Sequence, residues 1–90
     1  MMYVEVNYDG CVFIGPDCIS VIRQMKFLDI EEPENILAFK TNVQTRLLIL
    51  GELILFYDSR SFLEACLESE IINSLIIDEN YSPVETFPKL

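Results

Sequence analysis

Residues 2–14 read MYVEVNYDGCVFI, and this stretch predicts a β-hairpin. Apolar and polar residues alternate in its first half, which is typical of a strand with one buried face. Asp9-Gly10 then separates that strand from a second apolar run that begins at Cys11. A type I′ turn needs positive φ at both central positions, and Asp-Gly is among the pairs that adopt it most readily. We therefore predict two antiparallel strands at the start of the chain.

A helix is predicted directly after the hairpin. Pro16 suits the first helical position, and Asp17 in the first turn complements the helix dipole. Apolar residues then recur at three- and four-residue spacing and form one stripe along the helix. The stripe consists of Cys18, Val21, Ile22, Met25 and Leu28. We expect the helix to end near Asp29, ahead of an acidic loop that contains Pro33.

The middle of the chain is predicted to be β-structure. Residues 35–41 form one predicted strand, and residues 46–57 form a longer one that is apolar on both faces. Apolar residues on both faces are typical of a central strand that is covered on both sides. Gly51 inside this strand is expected to mark a bulge or a close backbone approach.

A second helix is predicted from residues 58–61 onward. Ser61 and Glu64 fit a capping box, although Asp58 and Ser59 compete for the cap position. Residues 71–78 leave two interpretations open, because they could continue this helix or form a last strand that is rich in β-branched residues.

These elements together predict a single α+β domain over residues 1–78, followed by an extended C-terminal tail over residues 79–90. We expect an antiparallel sheet of four to five strands with two helices packed on one face, in the ferredoxin-like (split β-α-β) order. The other sheet face would carry the second apolar row of the long strand, so a homodimer or another complex is expected to cover it. The predicted interface residues are Leu48, Leu50, Ile54 and Phe56.

The net charge of −9 over 90 residues is the main guide to function. It disfavours direct binding to nucleic acid or to anionic membranes, because both depend on Lys and Arg. It favours the attraction of cationic partners. The acids concentrate in the loop around residues 29–34 and in residues 61–88, which contain no basic residue. The predicted partner-binding residues are Asp29, Glu31, Glu32, Glu34, Glu64, Glu68 and Glu70.

The sequence shows no established catalytic pattern and no cofactor motif. Histidine is absent, which removes the commonest general base and the commonest zinc ligand. The three cysteines lack CxxC spacing and are interpreted as free thiols in a reducing cytoplasm. A residual alternative is a metal-dependent hydrolase in which Asp9, Asp58 and Asp78 converge on Mg²⁺ or Ca²⁺. We predict no enzyme activity, no bound metal and no cofactor.

Two functional hypotheses follow. The first is a small acidic inhibitor, of the immunity-protein, antitoxin or anti-host type, that blocks a basic or nucleic-acid-binding surface of a partner protein. Its apolar anchors would be Tyr57, Phe62 and Tyr81. The alternative is a non-catalytic assembly subunit that self-associates through an apolar sheet face. The most apolar run, residues 47–57, is too short to span a bilayer. The pattern of free cysteines is the basis for an expected cytoplasmic location.

Overall fold

The computed structural model describes residues 2–80, and the predicted tail therefore lies almost entirely outside the described residues. The described part contains three strands and three helices and belongs to the α+β class. The strands form one antiparallel sheet in the order β2-β1-β3. The elements are β1 (Tyr3–Tyr8), β2 (Cys11–Gly15), α1 (Cys18–Lys26), α2 (Ile36–Ile49), α3 (Ser59–Glu68) and β3 (Ile72–Asp78).

The predicted N-terminal hairpin is confirmed. Tyr8 pairs with Cys11, so the connection between β1 and β2 consists of two residues. Asp9 has φ of 54° and Gly10 has φ of 78°, which are the two positive values that a type I′ turn requires. The hairpin places β1 in the centre of the sheet, because its other edge pairs with β3.

The predicted strands at residues 35–41 and 46–57 are wrong. Helix α2 takes up nearly all of the first and the beginning of the second. The oxygen of the Asn35 side chain caps the helix by accepting the Ala38 N–H at 2.8 Å. Phe39, Val43 and Leu47 are buried at four-residue spacing, which is the period of one helix face. Short apolar runs fit a helix or a strand equally well, and here packing against α1 selects the helix.

This difference overturns the predicted architecture. The sheet has three described strands instead of four to five, and three helices are present instead of two. The chain order is β-β-α-α-α-β, so the ferredoxin-like order is also wrong. The open question at residues 71–78 is answered, because β3 runs antiparallel to β1 and pairs Leu75 with Val6.

Gly51 ends α2 and does not form a bulge. Its φ is 87°, the left-handed conformation that glycine adopts without steric cost. The Glu52 N–H donates to the Leu47 carbonyl at 2.8 Å, and the Gly51 N–H donates to the Leu48 carbonyl at 2.9 Å. These two bonds form a Schellman motif, which satisfies the last carbonyls of the helix.

The other helix ends differ from the predictions in detail. Helix α1 begins after Asp17, whose side chain caps it by accepting the Ser20 N–H at 2.7 Å, and its last residue is Lys26 instead of one near Asp29. Helix α3 is capped by Asp58, which forms the capping box with Ser61. The predicted pairing of Ser61 with Glu64 in that box is therefore wrong.

The core lies between one face of the sheet and the three helices. Val4 and Val6 of β1 are fully buried, and they lie against a cluster to which every helix contributes. Phe62 of α3 is the centre of an aromatic group, with ring centroids 6.1 Å from Phe39 and 5.1 Å from Phe56. Edge-to-face pairs of this kind add to the stability gained by burying the rings.

The opposite face of the sheet is partly open, but it is not the face that was predicted. Ile14 and Ile76 lie in register on either side of Glu5, and each is about half exposed. The apolar row expected from residues 46–57 is absent from it, because those residues form no strand of the described sheet. None of the described helices is long and apolar enough to cross a membrane.

Candidate functional site

The seven acids predicted to bind a partner fall into two groups. Four lie in the loop between α1 and α2, and three lie on α3 or directly after it. The loop acids are Asp29, Glu31, Glu32 and Glu34, and the others are Glu64, Glu68 and Glu70. The two groups are in very different environments, so they do not form one uniform acidic surface.

Asp29 is not available to a partner. Its side chain is 1% exposed, and its Oδ1 lies 2.6 Å from Nη2 of Arg46 on α2. The same Oδ1 accepts the Glu31 N–H at 2.9 Å. Its Oδ2 is buried and accepts no hydrogen bond from residues 2–80. The carboxylate therefore fixes the loop to α2 from the inside.

The pKa values around this pair agree with an internal ion pair. Burial raises the pKa of Asp29, but the hydrogen bonds from Arg46 and from the Glu31 N–H outweigh it, so the pKa lies below the ordinary 3.8. The hydrogen bond to Asp29 raises the pKa of Arg46 further. Burial and the Asp29 charge raise the pKa of the neighbouring Tyr8 hydroxyl. Asp29 is consequently ionised and Tyr8 is neutral near neutral pH.

A shallow groove of about 370 Å³ lies over this pair. Tyr8, Leu28 and Ile30 provide its aromatic and apolar walls, and Glu31 and Arg46 provide its charged rim. Glu31 also accepts a hydrogen bond from Nη2 of Arg46, so the charges at the rim are already paired with each other. The groove therefore offers no free charge to a small ligand.

Two loop acids remain accessible. Glu32 and Glu34 are exposed, and neither forms an ion pair with any residue between 2 and 80. Glu32 has φ of 50°, a left-handed conformation that is uncommon for residues other than glycine, asparagine and aspartate.

The C-terminal end of α3 carries the other accessible acids. Glu68 is the last residue of the helix, and Glu70 follows its C-cap Ser69. Both are exposed, and neither has an ion-pair partner in the described part of the chain. We refer to Glu68 and Glu70 as the acidic end of α3.

Glu70 occupies the position that glycine occupies after α2. Its φ is 61°, the Ile71 N–H donates to the Cys66 carbonyl at 2.9 Å, and the Glu70 N–H donates to the Leu67 carbonyl at 3.1 Å. The two helices thus end in the same Schellman motif, once with Gly51 and once with Glu70. A left-handed residue that carries a Cβ costs about 1 kcal/mol, so Glu70 is held there at the expense of stability.

Glu64 lies one helical turn before Glu68, and its charge is partly compensated by Arg60. It accepts a hydrogen bond from Arg60 at 3.4 Å, and Arg60 also contacts Glu79 at 3.3 Å. All three side chains are about half exposed, so these pairs are screened by solvent and contribute little. Arg60 is the one cation of α3, and it lies near the N-terminus of the helix, away from the acidic end.

The predicted interface residues do not share a sheet face. Leu48 is exposed near the C-terminal end of α2, and its C-cap Leu50 is exposed as well. Ile54 is 4% exposed and belongs to the core, and Phe56 packs partly buried against Phe62. Only Leu48 and Leu50 are placed where a second molecule could contact them.

The predicted apolar anchors also differ in their accessibility. Phe62 is fully buried in the core and cannot contact a partner, whereas Tyr57 is 89% exposed. Tyr81 lies outside the described residues.

The structure does not bring together the acids of the residual hydrolase hypothesis. Asp78 pairs with Tyr3 at one end of β1, and Asp9 follows Tyr8 at the other end. The five steps of about 3.4 Å from Tyr3 to Tyr8 separate the two acids by roughly 17 Å or more. Among residues 2–80, no group of three or more acids and cysteines is arranged to hold a metal ion.

The two buried cysteines show no activation. Cys18 and Cys66 are buried, and burial raises the pKa of Cys66 to about 12 and also raises the pKa of Cys18. Cys11 is exposed next to the hairpin turn. A reactive cysteine is a thiolate stabilised by a cation or by a helix N-terminus. Cys18 is the first residue of α1, but burial outweighs the effect of that position on its pKa.

Arg46 is the functional side chain that the sequence analysis missed. From the sequence, Arg46 lies at the start of a predicted strand and has no assigned ion-pair partner. In a helix over residues 36–49 it lies three residues after Val43 and next to Leu47, on the border of the buried face. A cation at such a border can compensate a buried acid, and the acidic loop supplies Asp29.

Comparison of the chain with protein families, with curated proteins and with solved structures found no match.

Proposed function

We propose that this chain is a non-enzymatic protein-binding domain that uses its acidic surface to bind, and thereby block, a basic surface of a partner protein. The observation that carries the proposal is the acidic end of α3. Two exposed carboxylates lie there without a cation from the described part of the chain. Without a partner bound, the protein would be more stable if these two carboxylates were removed.

Three local effects make this end costly. Glu68 lies at the C-terminal end of α3, where the helix dipole is negative and disfavours an acid. Glu64 and Glu68 are four residues apart on one ridge, where like charges repel. Glu70 adopts a left-handed conformation. Local features that oppose stability concentrate at functional sites, which favours a recognition role for these side chains.

A cationic partner would relieve two of these costs on binding. Lys or Arg side chains placed at the acidic end would neutralise the repulsion and complement the dipole. The net charge of −9 would speed the encounter, and the exposed Glu32 and Glu34 would add to it. Asp29 is left out of the proposed binding residues, because it is buried and paired with Arg46.

Affinity capture from the native cell at low and high salt tests the proposal. The wild type should retain a basic protein at low salt and release it at high salt. Glu68→Lys/Glu70→Lys should lose that protein at both salt concentrations. Glu79→Lys is the matched control and should retain it, because Glu79 follows β3 and lies beside Arg60, near the start of α3. Equal retention by the wild type and the double variant would contradict the proposal.

Self-association is the second candidate function, favoured by apolar exposure at the C-terminal end of α2. Leu48 is 58% exposed and Leu50 is 80% exposed, and they are close together in the chain. A second copy would cover them, since contiguous exposed apolar side chains mark interfaces. Sedimentation should then show a dimer that Leu50→Lys dissociates, whereas a monomeric wild type at tens of micromolar would contradict this candidate.

A further inference from the structure

The segment between α2 and α3 is apolar and belongs to no helix or strand of the described residues. Its residues alternate in exposure: Ile54 and Phe56 point inward, whereas Leu53, Leu55 and Tyr57 are 62%, 73% and 89% exposed. Alternation of this kind is the period of a β-strand. Residues 53–57 therefore present one apolar face to solvent.

The backbone of this segment has few internal partners. Gln44 Nε2 donates to the Ile54 carbonyl at 2.9 Å, and the Tyr57 N–H donates to Ser61 Oγ at 2.9 Å. Within residues 2–80, no backbone–backbone hydrogen bond involves residues 53–57. In an extended chain, the N–H and C=O groups of alternate residues point to the same edge. The Gln44 bond turns the Ile54 carbonyl toward α2, so the polar groups of Leu53 and Leu55 point to the opposite edge. Ser61 of α3 closes this edge at Tyr57, and only Leu53 and Leu55 remain available for pairing.

The segment is held in place at several points. Ile54 is buried in the core, and the Phe56 ring packs edge-to-face on Phe62 at 5.1 Å. The Schellman motif at Gly51 fixes its start, and the cap residue Asp58 fixes its end. A strand edge that is already ordered loses little entropy when another strand pairs with it.

Charge distinguishes between two possible occupants of this edge, a second copy of the chain and a segment of another protein. Residues 53–57 are uncharged, but the exposed acids Glu52 and Asp58 bracket them. Antiparallel pairing of two copies about Leu55 would place Glu52 of each copy opposite Asp58 of the other. Like charges directly opposite each other destabilise a strand pair. A second copy is therefore disfavoured, and a segment with basic flanks is favoured.

We propose that residues 53–57 receive an extended segment of a partner protein by β-strand addition, with apolar residues at alternate positions and Lys or Arg on both flanks. Main-chain hydrogen bonds to Leu53 and Leu55 supply affinity, and the flanking acids supply specificity. The partner's apolar residues lie beside the side chains of Leu53, Leu55 and Tyr57. This surface is distinct from the acidic end of α3, so the inference goes beyond the function proposed above.

The test uses two blocked heptapeptides, K-V-T-V-T-V-K and E-V-T-V-T-V-E, titrated into the full ¹⁵N-labelled chain. We expect the Lys-flanked peptide to bind, with the largest amide shifts at Leu53 and Leu55. The Glu-flanked peptide should bind about tenfold more weakly or not detectably. Absence of binding by the Lys-flanked peptide at millimolar concentration, or shifts confined to other residues, would overturn the proposal.

Variants separate strand addition from unspecific contact. Leu55→Pro removes one N–H at an exposed position and leaves Ile54 and Phe56 in place, so it should weaken binding about tenfold. Leu55→Val keeps the N–H and should bind nearly as the wild type does. Equal binding by Leu55→Pro, in a sample that unfolds at the wild-type temperature, would overturn the proposal. A wild-type dimer that Leu55→Pro dissociates would also overturn it, in favour of a second copy.

Two further variants keep this inference separate from the proposed function. Glu52→Lys should weaken the Lys-flanked peptide and strengthen the Glu-flanked one, which a purely structural role of Glu52 would not do. Glu68→Lys/Glu70→Lys should bind the Lys-flanked peptide as the wild type does even if it loses the captured partner. A loss of peptide binding in that double variant would show attraction by overall charge and overturn the assignment to residues 53–57.

Discussion

Nη2 of Arg46 on α2 lies 2.6 Å from Oδ1 of Asp29, and this contact joins the loop after α1 to helix α2. The two residues are 17 positions apart in the chain. Asp29 is the only buried charged residue among residues 2–80, and its Oδ2 has no hydrogen-bond donor from them. Arg46 is the only cation between residues 2 and 80 that forms an ion pair with it.

Replacing Arg46 should destabilise the fold more than replacing Asp29. Arg46→Met leaves a buried carboxylate without a cation, which should cost about 2 kcal/mol, since the half-exposed guanidinium is partly screened by solvent. Asp29→Asn removes the buried charge together with the ion pair and should cost less. Urea unfolding of both variants near neutral pH measures the difference. A larger cost for Asp29→Asn would contradict the internal role of the pair.

The contribution of Asp29 should depend on pH in the acid range. Its pKa in the folded protein lies below the ordinary 3.8, so the folded state binds its proton more weakly than the unfolded state does. The resulting stability is fully present above the unfolded pKa and is lost as the pH falls through the folded pKa. The difference in unfolding free energy between the wild type and Asp29→Asn should therefore be constant above about pH 5 and shrink below about pH 4. A difference that does not change with pH would contradict the ion pair.

Substitutions at the left-handed positions of the two Schellman motifs should have opposite effects on stability. Glu70→Gly should stabilise the protein by about 1 kcal/mol, because glycine adopts this conformation without steric cost. Gly51→Ala should destabilise it by about the same amount. A Cβ at Gly51 would meet no atom within 4 Å, so that cost is conformational and does not arise from a clash. Thermal unfolding of the two variants should shift in opposite directions.

Helix α2 can be tested through two of its residues. Phe39 is fully buried and Leu37 is 68% exposed, although they are only two positions apart. Phe39→Ala should cost about 3 to 4 kcal/mol, and Leu37→Ala should cost less than about 0.5 kcal/mol. Thr41→Pro, in the helix interior, should cost about 3 kcal/mol or more. If Thr41→Pro were neutral, residues 36–49 would not be helical.

The sequence predicts local structure well where the signal is short-range. The Asp9-Gly10 turn depends on the conformational freedom of two residues, and the existence of α1 depends on one apolar stripe, although its start was predicted two residues too early, at Pro16. Both are properties of a few neighbouring residues, so no tertiary information is needed. The exposure of Glu32, Glu34, Glu68 and Glu70 was predictable on the same basis, because unpaired acids are rarely buried.

The sequence does not predict residues 36–57 in the same way. Apolar residues lie on all sides of α2, because Leu37, Leu48 and Ile49 are exposed while Phe39, Val43 and Leu47 are buried. Without a clear helical stripe, β-branched content and apolar alternation favour a strand. Only long-range packing against α1 distinguishes the two, and the burial of Asp29 follows from the same packing.

The account predicts that the acidic end of α3 trades stability for binding, and one paired measurement tests this directly. Glu68→Gln/Glu70→Gly removes both charges and the left-handed glutamate. Glu79→Gln is the control, since Glu79 follows β3 and pairs with Arg60, near the start of α3. The thermal unfolding midpoint and the salt-sensitive capture of a basic protein are measured on the same samples. We expect the double variant to unfold at a higher temperature and to lose the captured protein, whereas the control keeps it. A double variant that is more stable and still captures the protein as well as the wild type does would contradict the account.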